Sequence, residues 1–217
     1  GAMTRAKRAP SLFVKPARGS QGRGTGRWDE TDGSYIDATG KSVSDFDALL
    51  QYLTSQAVAS GTDLLVQEAV VNSSGVRAFG GRALSTVRLV TLRTSDGVIR
   101  PVQAGLRVAV RADAIVDNYH SGGVYFHVDY RTGVIGKGTS MHFANEPAYL
   151  TNPPGSNIRL TDSVVEGWQQ IRHLALNLHE KLTMHTVGGW DIALTDRGPV
   201  AVECNSVPGM AAPRQRP

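Results

Sequence analysis

The chain carries a single cysteine, Cys204, among its 217 residues. That excludes an internal disulfide and fits a reducing compartment. Aromatic residues make up only 6% and do not interleave with the basic ones, so no stacking platform for a nucleic acid strand is visible. No apolar run approaches the roughly 18–20 residues of a membrane span. The first residues, GAMTRAKRAPSLF, lack the apolar stretch of a secretory signal. These absences point to a cytoplasmic protein without a membrane partner. What is present is ordinary for a globular chain: 41% hydrophobic and 19% charged residues, enough for a core and for one large or two small domains. The net charge is +4, with much of the excess at the two ends. A basic balance suits nucleic acid or a phosphorylated small molecule, and the missing aromatics favour the latter. Gly1-Ala2-Met3 reads as a protease scar, so residues 1–10 are set aside as tag scar and basic tail.

Periodicity and turn residues give the organisation. Leu12-Phe13-Val14-Lys15 is a short strand entering a glycine-rich loop, PARGSQGRGTG. A strand pair brackets Thr39-Gly40. A helix is expected from 45 to about 57, with Ser44 as N-cap, Asp47 at N3, and Phe46, Leu49, Leu50 and Leu53 as its stripe. Leu64-Leu65-Val66-Gln67 reads as a buried strand. Residues 11–67 thus form a small lobe, with a hinge from Glu68 to about Asn72. Residues 68–217 form a larger lobe, mostly strand: 86–94 with 99–110, and 124–130 with 134–138. A loop is expected over 144–160, and a helix over 164–182 opened by a Ser163/Glu166 capping box.

The most informative stretch is GGWDIALTDRGPVAVECNSVPG, residues 188–209. Folded as a hairpin about Arg197, it sets Asp191 opposite Glu203 and Ala193 opposite Ala201. Side chains alternate across a strand, so Asp191, Ala193, Ala201, Glu203 and Asn205 share one face. Trp190, Ile192, Leu194, Val200, Val202 and Cys204 share the apolar one, which makes Cys204 a small core residue. Two carboxylates and an amide oxygen form a hard-oxygen set suited to Mg²⁺, with Mn²⁺ an alternative. The competing reading is a solvated polar face.

Other residues carry chemistry in either of two readings. Lys15 with Gly19, Ser20 and Gly22 offers a cation and backbone amides to a polyphosphate, or is a surface hairpin. Gln67, Glu68, Ala69 and Val70 end a strand whose backbone edge suits an adenine, or simply end it. Arg88, amid Val87, Leu89 and Val90, needs an anion. That anion is either a structural carboxylate or a substrate carboxylate or phosphate, and Arg107 poses the same question. Asn118 lies in the tight polar loop DNYHSGG. His127 and Asp129 share a strand face, but the six histidines show no metal-ligand spacing.

Taken in order, LFVKPARGSQGRG, LVQEAV, STVRLVTL, LRVAV, VDNYHSGGVYFHVDYRTG and GWDIALTDRGPVAVECNSVPG resemble the ATP-grasp family, closest to its sugar-transfer-associated branch. The resemblance implies an α+β fold of two lobes with a nucleotide cleft between them. It implies that Lys15 touches the α and β phosphates, that the glycine loop closes over them, and that Glu68 and the backbone to Val70 read adenine. It implies that Asp191, Glu203 and Asn205 hold Mg²⁺. The implied activity is an ATP- and Mg²⁺-dependent carboxylate–amine ligase working through an acyl phosphate, in polysaccharide- or peptide-like metabolite biosynthesis. Its partners would be a small-molecule carboxylate and a nucleophile. The alternatives are a kinase or phosphotransferase on the same fold, and a non-catalytic nucleotide-binding module. Three departures stand out. The stretch Asn72-Ser73-Ser74-Gly75-Val76 lacks the acidic residue that many members place after the hinge for the ribose. Gly189 occupies the place where many such ligases carry an arginine. Lys15 lies so near the start that a substrate domain is expected ahead of it.

Overall fold

The computed structural model describes residues 10–18, 24–80, 83–109, 123–140 and 149–208. The chain divides into two compact units, residues 1–70 and 71–217.

The first unit is an antiparallel sheet of five strands, β1 (Leu12–Pro16), β2 (Gly26–Thr31), β3 (Ser34–Asp37), β4 (Ser42–Val43) and β5 (Leu64–Glu68), in the order β4-β3-β2-β1-β5. The turn between β2 and β3 is Asp32-Gly33, both with positive φ (50° and 90°). That is the geometry of a type I′ hairpin, for which Asp-Gly is a strong signal. Helix α1 (Phe46–Ser60) covers one face. Leu12, Val14, Trp28 and Tyr35 from the sheet close on Leu49 and Leu53 from the helix. The expected cap is corrected: Asp45, not Ser44, caps α1. Its carboxylate accepts from the Ala48 amide at 2.8 Å, while the Ser44 hydroxyl donates to Asp45 at 2.7 Å. The carboxylate is the stronger acceptor beside the positive helix end, and the hydroxyl orients it. The helix runs on to Ser60 and stops where Gly61 turns left-handed (φ 62°). The buried reading of β5 is also corrected. Among the described residues it lies at the sheet edge paired with β1, and Leu65 is 44% exposed.

The second unit holds a six-stranded antiparallel sheet of β6 (Thr86–Arg93), β7 (Ile99–Val108), β8 (Val124–Val128), β9 (Ile135–Ser140), β10 (Val187–Thr195) and β11 (Gly198–Asn205), ordered β11-β10-β6-β7-β8-β9. Among the described residues its helices are the short α2 (Ser74–Gly80), not anticipated from sequence, and α3 (Trp168–Lys181). The predicted capping box does not form. Backbone groups of the 163–165 segment are spent on the sheet: the Ser163 carbonyl accepts from Ile135 at 2.8 Å, and the Val165 amide donates to Gly133 at 3.0 Å. Helix α3 therefore starts only at Trp168, behind Gly167 (φ 66°), with no side-chain cap.

The strands of this sheet read apolar on one face and polar on the other, as an antiparallel sheet with a single packed side should. Val87 and Leu89, Ala104 and Leu106, Val124 and Phe126, and Trp190 and Ile192 close on Trp168, Ile171 and Ala175 of α3. Each fully buried Leu, Ile or Phe there contributes roughly 1.5–3 kcal/mol. One polar chain crosses this core. Trp190 Nε1 donates to Thr91 Oγ1 at 2.8 Å, and Thr91 Oγ1 lies 2.6 Å from His179 Nδ1. His179 Nε2 lies 3.0 Å from the His185 carbonyl. A carbonyl only accepts, so Nε2 carries the proton and Nδ1 takes the threonine hydroxyl. This pins α3 to β6 and β10.

Candidate active site

The hairpin of β10 and β11 pairs Asp191 with Glu203, Trp190 with Cys204 and Gly189 with Asn205. Nearer the turn the register differs from the expectation. Thr195 pairs with Gly198, Ala193 with Val200 rather than Ala201, and Ile192 with Ala201. The turn is thus centred half a residue earlier than Arg197, and a bulge at Val202 makes up the difference. The bulge decides the chemistry. A one-residue slip moves side chains to the other face, so an unbroken ladder from this turn would set Val202 against Asp191 and send Glu203 and Asn205 toward the core. The extra residue returns both to the face of Asp191. A second correction concerns Cys204, which is exposed because β11 is an edge strand that α3 only partly covers. Burial, then the charges of Asp191 and Glu203, push its thiol up from the ordinary value.

The acidic face of the hairpin continues across the sheet. Asp191 pairs with Arg88 on β6, Arg88 with Gly105 on β7, and Gly105 with His127 on β8. Arg107 pairs with Tyr125, and Tyr125 with Thr139. All of these therefore share the face opposite α3. Of the two readings of Arg88, the structure adopts the carboxylate partner. The Arg88 guanidinium grips Asp191 bidentately, Nε on Oδ1 and Nη2 on Oδ2 at 2.8 Å. Arg107 Nη1 donates to the same Oδ2 at 3.0 Å. The three side chains are 8%, 17% and 13% exposed for Asp191, Arg88 and Arg107. Gly105 leaves room on this face for the Tyr125 ring. A Cβ on Gly105 would lie 1.9 Å from the Tyr125 ring, so that ring occupies the space a side chain would take. Gln103 Nε2 donates to the Tyr125 hydroxyl at 3.4 Å. Burial raises the Tyr125 phenol, and Gln103, Arg88 and Arg107 only partly offset it, so the phenol stays protonated at neutral pH.

In the first unit, Lys15 pairs with Leu65 and Phe13 with Gln67. Alternation puts Lys15 and Gln67 on one sheet face, away from α1. Glu68 falls on the other face and is exposed. The Ala69 amide donates to the Ser11 carbonyl at 2.7 Å, so this N–H is committed within the unit. Val70 is half-buried. Gly19, Ser20, Gly22 and Asn118 lie outside the described residues. Asp129 works as a turn residue: its carboxylate accepts the Arg131 and Thr132 amides at 2.8 and 2.9 Å. It is not paired with His127 in a metal set. Among the described residues no three His, Cys, Asp or Glu side chains converge. A cation on the hairpin would therefore use Asp191, Glu203 and the Asn205 amide oxygen, all hard donors that fit Mg²⁺ in type.

A family model described as sugar-transfer associated ATP-grasp matches residues 3–214. The chain belongs to that family. Membership in the sugar-transfer associated ATP-grasp family agrees with the two antiparallel sheets and few helices seen here, an α+β fold. It supports ATP-dependent activity of ligase type in general, usually with a divalent metal. No curated protein matches the chain. Among the described residues no helix is long and apolar enough to cross a membrane. For this ATP-grasp member the sequence reading missed Gln103 and Tyr125. The signal was there: polar residues at every second position, Gln103-Gly105-Arg107 on β7 and Tyr125-His127 on β8, continue the alternation that had singled out Arg88 and Asp191.

Proposed function

We propose that this protein is an ATP- and Mg²⁺-dependent ligase that phosphorylates a substrate carboxylate and passes the acyl group to an amine or another nucleophile. The observation that carries the reading is the charged cluster Glu203, Asp191, Arg88 and Arg107, built on four neighbouring strands of one sheet face. Phosphoryl transfer needs positioned charge more than covalent help. Arg88 and Arg107 place two cations beside the acidic pair, where they can offset charge that develops on a transferring phosphoryl group. The Tyr125 phenol supplies a fixed proton donor beside them. Glu203, Asp191 and Asn205 would hold Mg²⁺, whose contribution when bound is to neutralise phosphate charge. Lys15 would face the α and β phosphates with the 17–26 segment, and Glu68 to Val70 would read the adenine edge. The family's description suggests a place in polysaccharide- or peptide-like metabolite synthesis.

A second reading, transfer of the phosphoryl group to a substrate that keeps it, is favoured by one observation. Gly189 cannot hold an arginine that steadies an acyl phosphate, because a Cβ there would lie 2.4 Å from Pro208. Incubation with ATP, Mg²⁺ and a carboxylate library separates the two. ADP with free phosphate and a condensed product supports the ligase; ADP with a phosphorylated product supports the transferase. Glu203→Gln, at an exposed side chain, is expected to abolish turnover while the thermal transition is unchanged. Turnover that survives this change overturns the metal assignment.

A further inference from the structure

The Asp191 carboxylate is already spoken for. A carboxylate offers about four lone-pair directions, and Arg88 and Arg107 occupy three: one on Oδ1 and two on Oδ2. Charge points the same way. Among these four side chains Asp191 and Glu203 contribute two negative charges and Arg88 and Arg107 two positive ones, so the two guanidinium groups offset the pull of the carboxylates on a bare dication. Nor is the clasp incidental to surface packing. Its members come from three strands, β6, β7 and β10, and all are largely buried. Arg107 reaches Asp191 from β7 across the intervening strand β6.

We propose that Arg88 and Arg107 form a guanidinium clasp that withholds Asp191 from free divalent cations and releases it when a polyphosphate takes the guanidinium groups instead. In the closed clasp Arg88 and Arg107 act through Asp191; once a polyphosphate is bound they touch it directly. Its chemistry is an exchange of partners with no bond made or broken. Guanidinium moves from carboxylate to phosphate, both of which suit its bidentate fork. The freed carboxylate then meets the cation that accompanies the nucleotide. Metal therefore enters with the nucleoside triphosphate and not before it. The proposal rests on the metal reading of the hairpin given above.

The test measures binding, not turnover. Mn²⁺ is titrated into the full chain by EPR, first alone and then with a non-hydrolysable ATP analogue, for the native protein, Arg88→Gln and Glu203→Gln. The native chain is expected to bind Mn²⁺ alone weakly and Mn²⁺ with the analogue tightly. Removing one positive charge from the clasp should tighten the binding of Mn²⁺ alone by about tenfold and weaken binding of the analogue. Tight binding of Mn²⁺ alone by the native chain, or no gain in Arg88→Gln, overturns the clasp. Glu203→Gln separates the two layers. If it leaves Mn²⁺–analogue binding unchanged, the hairpin metal site itself fails. If it abolishes that binding while Arg88→Gln gains nothing, only the clasp fails. Circular dichroism checks folding. Should Arg88→Gln not fold, Arg107→Gln, which removes one donor and leaves the bidentate grip, is read the same way, with a gain of about threefold expected and no gain overturning the proposal.

Discussion

Two buried polar groups sit back to back on the larger sheet. Thr91 and Trp190 point to α3 and join His179; Arg88 and Asp191, on the same two strands, point the other way and join Arg107. The first group is neutral and closed. Each donor has an acceptor, the histidine proton ends on a backbone carbonyl, and the side chains are buried. The second is charged, crowds three donors onto one carboxylate, and leaves Tyr125, Gln103 and Glu203 alongside on a polar face. A closed neutral network fixes how two elements dock. A buried ion cluster is poor value for stability, since desolvation of the charges opposes their attraction. Its retention makes sense where charges must be held ready for a ligand.

The contrast can be broken from either side. The largest effect is expected for Asp191→Ala, which removes the carboxylate shared by two largely buried guanidinium groups: about 3 kcal/mol of stability is lost, read by chemical denaturation, together with turnover. His179→Ala should cost about 2–4 kcal/mol through a cavity and unpaired partners on Thr91 and the His185 carbonyl. If its fold persists at low temperature, nucleotide binding by calorimetry should be near native, because the other face is untouched. A loss of binding there as large as that of Asp191→Ala would erase the distinction between the two groups. The smallest effect is a pH one, remote from both. Asp196 in the hairpin turn accepts the Ser74 amide at 2.8 Å, and this bond, with Arg77 nearby, holds its carboxyl below the usual range. A depressed carboxylate contributes stability that is whole above the unfolded value near 3.9 and is lost as pH falls through the lower folded value. Asp196→Asn should therefore flatten the acid limb of a denaturation profile, with slightly lower stability than the native chain at neutral pH and the two curves converging at low pH.

The sequence made local pairing legible and long-range pairing illegible. The turns at Asp96-Gly97 and Thr132-Gly133 announce their hairpins, and Asp191 facing Glu203 follows from folding one stretch on itself. That opposition was reached through a turn centre that is not the real one. The bulge at Val202 supplied the missing residue, and nothing in alternating apolar letters marks a bulge. Arg88 and Asp191 are 103 positions apart, so their contact depends on β10 entering beside β6 and not β7, a matter of sheet order. Ser163 looked like a helix cap because its spacing to Glu166 is right. The backbone there was claimed by β9, a tertiary demand that local chemistry does not display. The edge placement of β5 was hidden for the same reason: Leu64-Leu65-Val66 has the composition of an interior strand.

The bulge at Val202 has a consequence beyond aiming Glu203. Strand β11 is an outer strand of its sheet, and an outer strand offers a row of backbone donors and acceptors that another polypeptide can zip onto. An inserted residue interrupts that row and tightens the local twist, so a foreign strand cannot lie flat along it. The irregularity that sets two carboxylates face to face thereby also makes this border a poor template for intermolecular sheet growth.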